Sequence, residues 1–414
     1  MTSQTVSLRN FALSASLPYR LSGLFVFGWR QLTLNCKLSS VHFLPMHWFE
    51  RRIRRYEHRR WTTDDNRRVH PFDWGLEHIG GDPSDPQPAA YGREYANQAI
   101  ENSAKWFETT PATDYALDSE NVLTFTSSIQ SPWPENNTVC AQFFPSRRSS
   151  TGTPACAPAN STEHSSQAPK SSQRVASQPG PAVVLLPNWN AKWRGQRGLC
   201  EWLQRIGITV LRLSLPYHDR RMAKGHERAD QLVGPNIGLT LQANRQAVQD
   251  TRRCLRWLEQ QGFSRLGILG TSIGSSVGYI TMVHDDALRA GGFFHVSTYF
   301  ADVVSQGMTT THVWESLRHH VTVDELRDFW APVSPMPYVE RGLGANKNAF
   351  MVYGKYDPTF LPALTAQMLA ALRQHHANLR TLELHCGHYS LELPPFSHIA
   401  GYRMLTFLRS ALAQ

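Results

Sequence analysis

Three short segments of this 414-residue chain carry side chains whose types and spacing could perform nucleophilic chemistry. Gly270-Thr-Ser-Ile-Gly274 places Ser272 between two glycines, directly after the apolar run Leu266–Leu269 and at the start of a helix-forming stretch. A serine at the tip of a strand-to-helix turn takes a strained backbone, and a side chain two positions either side would strike the neighbouring strand and helix. A hydroxyl is a poor nucleophile at neutral pH, so it needs a base within hydrogen-bond reach and a third group that orients the base. His388, in His385-Cys-Gly-His-Tyr-Ser-Leu391, and Asp357, in Val352-Tyr-Gly-Lys-Tyr-Asp-Pro-Thr359, each follow a strand-like run and could supply the two. A phosphate-binding turn is the other reading of the glycine-rich junction, but neither of the phosphate-loop glycine patterns is present.

The elements that must position these groups follow from the apolar pattern. Strand-like runs at Ala182–Leu186, Thr209–Leu213, Leu266–Leu269, Gly292–Val296, Ala349–Tyr353 and Arg380–Leu384 alternate with helical stretches at Gly198–Arg205, Asn244–Gln261, from about Ser275, Leu361–Gln374 and Ser397–Leu412. Mostly apolar strands separated by amphipathic helices predict an α/β fold, a mainly parallel sheet covered on both faces. Before them, a helix over Tyr91–Phe107 and strands at Val122–Thr126 and Thr138–Phe144 read as a cap or as the first antiparallel strands.

The order Ser272, Asp357, His388, 85 and 31 residues apart, resembles the α/β-hydrolase order. The glycine-flanked serine, the Tyr-Gly-Lys-Tyr-Asp segment and the Gly-His-Tyr segment carry that resemblance over about Val183–Leu412, most closely to poorly characterised α/β-hydrolase domain proteins. The resemblance implies an α/β-hydrolase fold with a helical lid, a Ser-His-Asp triad and an oxyanion hole. One oxyanion donor would be the Ile273 NH, and the second would come from Trp189 or Asn190, where this chain reads Leu186-Pro-Asn-Trp-Asn-Ala191 in place of the family's His-Gly form. It implies a serine hydrolase, carboxylic-ester-hydrolase-like, that cleaves an ester or related acyl bond through an acyl-enzyme, with no metal and no organic cofactor. The substrate expected is a small-molecule or lipid-like acyl compound.

Other residues compete for these roles. Asp302 occupies a second position from which such enzymes draw their acid, His385 is an alternative base, and His218 with Asp219 could line a pocket or form a surface turn. Thr309–Gly342, with Trp314, Phe329 and Trp330, sits where a lid is inserted; its aromatic residues should mostly pack the lid, and any that reach the pocket would make it largely apolar.

The formal charge of +9 is concentrated at the start of the chain: through His70 there are twelve Arg or Lys against four acids, which leaves about +1 for everything else. A domain-wide nucleic-acid footprint is therefore excluded. Residues 1–45 are expected to be a disordered segment or sequence upstream of the true start; an organellar transit peptide has a similar composition. Residues 46–145 are read as a basic helix with the cap and first strands, 146–180 as a disordered Ser/Pro-rich insertion in a hairpin, and 181–414 as the catalytic domain. In the basic helix Phe49, Ile53 and Tyr56 share one face with arginines around them, so it should dock on the main domain with a solvated arginine face; weak peripheral membrane contact through 46–61 is the sharper expectation. That surface also supports the rival to catalysis, a catalytically silent hydrolase-fold scaffold that binds a membrane or partner. The six scattered cysteines read as packed thiols, no run approaches the ~20 apolar residues that span a bilayer, and a cytoplasmic location is expected.

Overall fold

The computed structural model describes residues 46–63, 66–146, 179–344, 346–376 and 378–413. The expected N-terminal segment 1–45, and nearly all of the 146–180 insertion, lie outside the described residues.

Among the described residues, nine strands form one sheet in the order β1-β2-β3-β5-β4-β6-β7-β8-β9. They are β1 (Ala116–Leu117), β2 (Val122–Thr126), β3 (Thr138–Phe144), β4 (Ala182–Leu186), β5 (Thr209–Leu213), β6 (Leu266–Thr271), β7 (Leu288–Phe294), β8 (Asn348–Gly354) and β9 (Leu379–Leu384). From β5 to β9 neighbours run parallel, whereas β1, β2 and β3 are antiparallel additions and β3 lies antiparallel to β5. The sheet is thus mainly parallel, as the sequence predicts. The expected hairpin is corrected, because β3 and β4 do not pair with each other and instead flank β5 on opposite sides.

The helices are α1 (Met46–Thr63), α2 (Pro88–Glu101), α3 (Ser103–Trp106), α4 (Pro134–Asn137), α5 (Arg197–Arg205), α6 (Ile237–Gln260), α7 (Ile273–His284), α8 (Phe300–Gln306), α9 (Thr311–Leu317), α10 (Val323–Phe329), α11 (Pro362–His375) and α12 (Phe396–Ala411). Two apolar clusters sandwich the sheet: one joins α6, α7 and the lid to residues such as Val184, Leu186 and Ile268, and the other joins α5 and α12 to Val183, Leu185 and Leu269. Alternate residues of β4 thus enter opposite clusters, as period-two side-chain geometry requires.

Helices α9 and α10 lie in the stretch where a lid is expected. Their aromatic residues pack rather than point at a ligand: Trp330 is fully buried and donates its indole NH to the Ile237 carbonyl at 3.0 Å, and Phe329 is buried against α2. Among the described residues no helix is long and apolar enough to cross a membrane. Cys140, Cys200, Cys254 and Cys386 are buried free thiols.

Candidate active site

In a parallel sheet the carboxyl ends of the strands form one rim, and side chains that follow those ends collect there. The register makes the ends level: Thr271 pairs with Phe294, Phe294 with Val352, and Gly354 with Leu384. Ser272 follows β6, His295 follows β7, Asp357 lies three residues past β8 and His388 four past β9.

Ser272 has φ 56° and ψ −121°, a backbone that L-residues seldom adopt. Its NH donates to the Phe294 carbonyl at 2.8 Å, and its own carbonyl accepts from the Ser275 NH at 2.8 Å, so strand β7 and helix α7 fix the turn from both sides. The flanking glycines are required sterically: a Cβ on Gly274 would lie 2.4 Å from the Leu186 carbonyl oxygen, and one on Gly270 would lie 2.3 Å from the Gly274 oxygen.

Asp357 is fully buried and uses both carboxylate oxygens. Oδ1 accepts from the Thr359 and Phe360 NH groups at 2.7 and 2.8 Å, while Oδ2 is 3.0 Å from His388 Nδ1. Burial alone would push this carboxyl up; the adjacent His388 and His295 outweigh it and hold Asp357 well below the usual carboxylate range. Placed beside a carboxylate, His388 Nδ1 must carry the proton and donate it. For His388 burial favours the neutral ring, but the negative charges of Asp357, Glu57 and Glu392 and the hydrogen bond to Asp357 raise its pKa above the ordinary histidine value. The ring also stacks on Phe360, with centroids 5.5 Å apart and planes 8° from parallel.

Ser272, His388 and His295 line one cavity of about 440 Å³. Arg60, Arg67, Lys192, Arg228, Glu227 and Glu392 also line it, and the lid aromatics Trp314, Phe329 and Trp330 are not among its lining residues. Ser272 and Ile273 also face a second cavity of about 40 Å³ among Trp189, Val233, Phe300, Val303 and Phe360.

The expected oxyanion donors separate. Ile273 opens α7, so its NH belongs to a first helical turn, which has no intrahelical acceptor. Asn190 is corrected: its NH is donated to His218 Nε2 at 2.9 Å and is engaged within the protein. Trp189 lines both cavities, and its indole NH donates to the Ala229 carbonyl at 2.9 Å.

The rival residues lie elsewhere. Asp302 is buried in α8 and pairs with Arg327 of α10 at 2.6 Å, where it ties α8 to the lid. His385 is exposed and packs edge-on against Tyr356. His218 is buried rather than on a surface turn, and desolvation pushes its pKa down to about 4, so it stays neutral: Nδ1 donates to the Pro216 carbonyl at 2.8 Å and Nε2 accepts from Asn190.

Two residues at the site escape the sequence reading. His295, buried, has Nδ1 2.7 Å from Asp357 Oδ2 and its ring centroid 4.5 Å from that of His388. One carboxylate thus faces two imidazoles, and desolvation pushes the pKa of His295 down, which leaves the positive charge to His388. With His388 and Asp357 it offers three potential metal ligands: both Nδ1 atoms approach the same carboxylate oxygen, at 2.7 and 3.0 Å, and of the two contacts the one from His388 has the geometry of a hydrogen bond. Glu57, on α1, is 1% exposed and accepts from the Tyr389 and Ser390 NH groups, each at 2.8 Å. Its signal in the sequence is an acid four residues after Ile53, on the apolar face of a helix otherwise studded with arginine.

Residues 238–391 match the model of the prolyl oligopeptidase family. No curated protein matches the sequence. Among solved structures, the chain is similar to acetyl xylan esterase 1 from Thermoanaerobacterium sp. at 12% identity, over 76% of this chain and 93% of that one, with a TM-score of 0.51. It is also similar to the acylaminoacyl peptidase of Pyrococcus horikoshii (10% identity, 77% of this chain and 44% of that one, TM-score 0.48) and to the Pyrococcus furiosus esterase Pf2001 (17%, 56% and 82%, TM-score 0.42). The likeness to the acetyl xylan esterase speaks for the fold, and with the sheet order and the family-model match it carries one conclusion: this chain has an α/β-hydrolase fold.

Proposed function

We propose that the protein is a serine hydrolase that cleaves an ester or related acyl bond. The observation that carries this reading is the convergence of Ser272 and of an Asp357-bound His388 on one cavity at the sheet rim. Ser272 Oγ forms a bond to the acyl carbon as His388 Nε2 takes its proton; Asp357 keeps Nδ1 protonated and stabilises the imidazolium. The negative oxygen is held by the Ile273 NH and, since the Asn190 NH is engaged, by the Trp189 NH. The bond to the leaving oxygen then breaks as His388 returns the proton to it, and water repeats the sequence on the acyl-enzyme.

Fluorophosphonate labelling of the folded protein tests the assignment: a covalent adduct that disappears in Ser272→Ala is the expected result. A folded protein that does not label, or a Ser272→Ala variant that labels equally, refutes it. The prolyl oligopeptidase family match favours a second reading, hydrolysis of a peptide bond by the same groups. Parallel assays of p-nitrophenyl esters and aminoacyl p-nitroanilides separate the two. A silent scaffold has weaker support, since nothing in scaffolding calls for a strained serine beside an oriented histidine.

A further inference from the structure

We propose that Glu57, on the N-terminal helix α1, is a positioning residue for this reaction, holding the loop that bears His388 in place against Asp357 and Ser272. The inference rests on the proposed function.

The loop after β9 turns sharply, and its backbone donors must be satisfied where they are buried. Glu57 Oε2 accepts from the Tyr389 NH and Oε1 from the Ser390 NH, the two residues that follow His388, across a sequence separation of more than 330 residues. Ser390 Oγ in turn accepts from the Gly387 NH at 2.7 Å, which closes the turn on the other side of the histidine. Gly387 is the residue that lets α1 come this close, since a Cβ there would lie 2.5 Å from the Glu57 carboxyl group. A charged carboxylate is costly to bury unless its lone pairs are used, and here two charge-assisted bonds use them on a loop of the site.

The rest of α1 supports the same clamp. Phe49 packs edge-on against Phe396 at 6.4 Å, Ile53 is buried, and the Arg60 guanidinium lies 5.9 Å from the centre of the Tyr389 ring. The charged and titratable groups that face His388 come from several elements: Asp357 past β8, His295 past β7, Glu57 from α1, and Glu392 beyond its own loop, with Arg60 against the adjacent Tyr389. Glu57 thus both places the imidazole and adds negative charge beside it, and this second effect is one that a merely structural contact would not produce.

The test compares full-length wild type, Glu57→Gln and Glu50→Gln, the last losing a charge on the same helix where it pairs with the exposed Arg54. Histidine-labelled protein is titrated by NMR to follow the His388 ring, and p-nitrophenyl acetate hydrolysis and fluorophosphonate labelling are measured against pH. In Glu57→Gln, kcat and the labelling rate should fall on the order of tenfold to a hundredfold, with KM little changed, because a displaced base loses alignment. The His388 midpoint should move to lower pH, and Glu50→Gln should do neither.

An unmoved midpoint with unchanged kcat overturns the proposal, and so does a loss of activity that tracks a lower melting temperature while the midpoint stays fixed. If Glu57→Gln does not fold, Glu57→Asp decides: it keeps the charge but shortens the reach, so kcat should fall while the midpoint stays nearer wild type, and wild-type kcat overturns the idea. Wild type that neither labels nor hydrolyses would sink the proposed function, whereas the NMR midpoint would still report whether Glu57 acts on His388.

Discussion

A histidine that acts as a base must be neutral, so in the proposed reaction the charges around His388 would set the pH at which the site switches on. Its pKa is raised, and in the proposed reaction protonation would remove the lone pair that takes the serine proton; activity should therefore be lost as pH falls through that raised value. The acidic limb of kcat/KM should lie above the ordinary histidine value of 6.5, and a limb below it would contradict the charge arrangement. His218 offers a second test. It is neutral, buried and bonded to the loop that carries Trp189, so His218→Ala should leave the Asn190 NH unpaired, lower stability by about 1–3 kcal/mol and reduce kcat by misplacing the Trp189 NH. Thermal melting and steady-state kinetics on one preparation check both effects. Ser272, Asp357 and His388 were legible in the sequence because each sits in a recognisable strand-end segment. His295 was not: the sequence predicts a strand over Gly292–Val296, which hides it inside, whereas β7 ends at Phe294 and leaves it at the rim.

The displacement of β7 has a packing cause at the level of elements. Leu288-Arg-Ala-Gly-Gly has little strand propensity, yet Gly291 and Gly292 are needed there, since a Cβ at either would lie within 2.4 Å of the Met282 or Met404 sulfur. Helix α6 likewise begins at Ile237 rather than Asn244, capped by the Asn236 side chain, because Gly238 inside it, which looks like a helix breaker, gives room to the Gly75 carbonyl. Strands β2 to β5, whose apolar runs are uninterrupted by such demands, have the bounds read from sequence. The turn at Ser272 shows how little slack the packing leaves: Gly274→Ala would drive a methyl into the Leu186 and Pro187 carbonyls, and should cost about 3 kcal/mol or more or prevent folding. A melting temperature within a degree or two of wild type would refute that steric account.

For the molecule as a whole, two cavities of unequal size meet at Ser272, and their difference bears on substrate choice. The smaller, about 40 Å³, has room for a group of two or three heavy atoms, given that one water needs roughly 10–15 Å³. Acetyl and propionyl p-nitrophenyl esters should therefore be cleaved with higher kcat/KM than octanoyl esters; the reverse order would place the acyl chain in the larger, charged cavity. The general architecture was legible because apolar strands and amphipathic helices alternate, whereas the contribution of α1 was not, since its role arises from contacts to a loop at the opposite end of the chain. A last consequence lies in Thr209. Its hydroxyl accepts from the Ser146 NH at 3.1 Å and its NH donates to the Pro181 carbonyl at 2.9 Å, so a single residue grips both stumps of the segment between β3 and β4. They meet at the amino-terminal edge of the parallel strands, on the far side of the sheet from Ser272, and flank one strand, roughly 10 Å from each other by ordinary strand spacing. The described ends of that connection, Ser146 and Pro181, are therefore anchored through one residue at the edge opposite the candidate site.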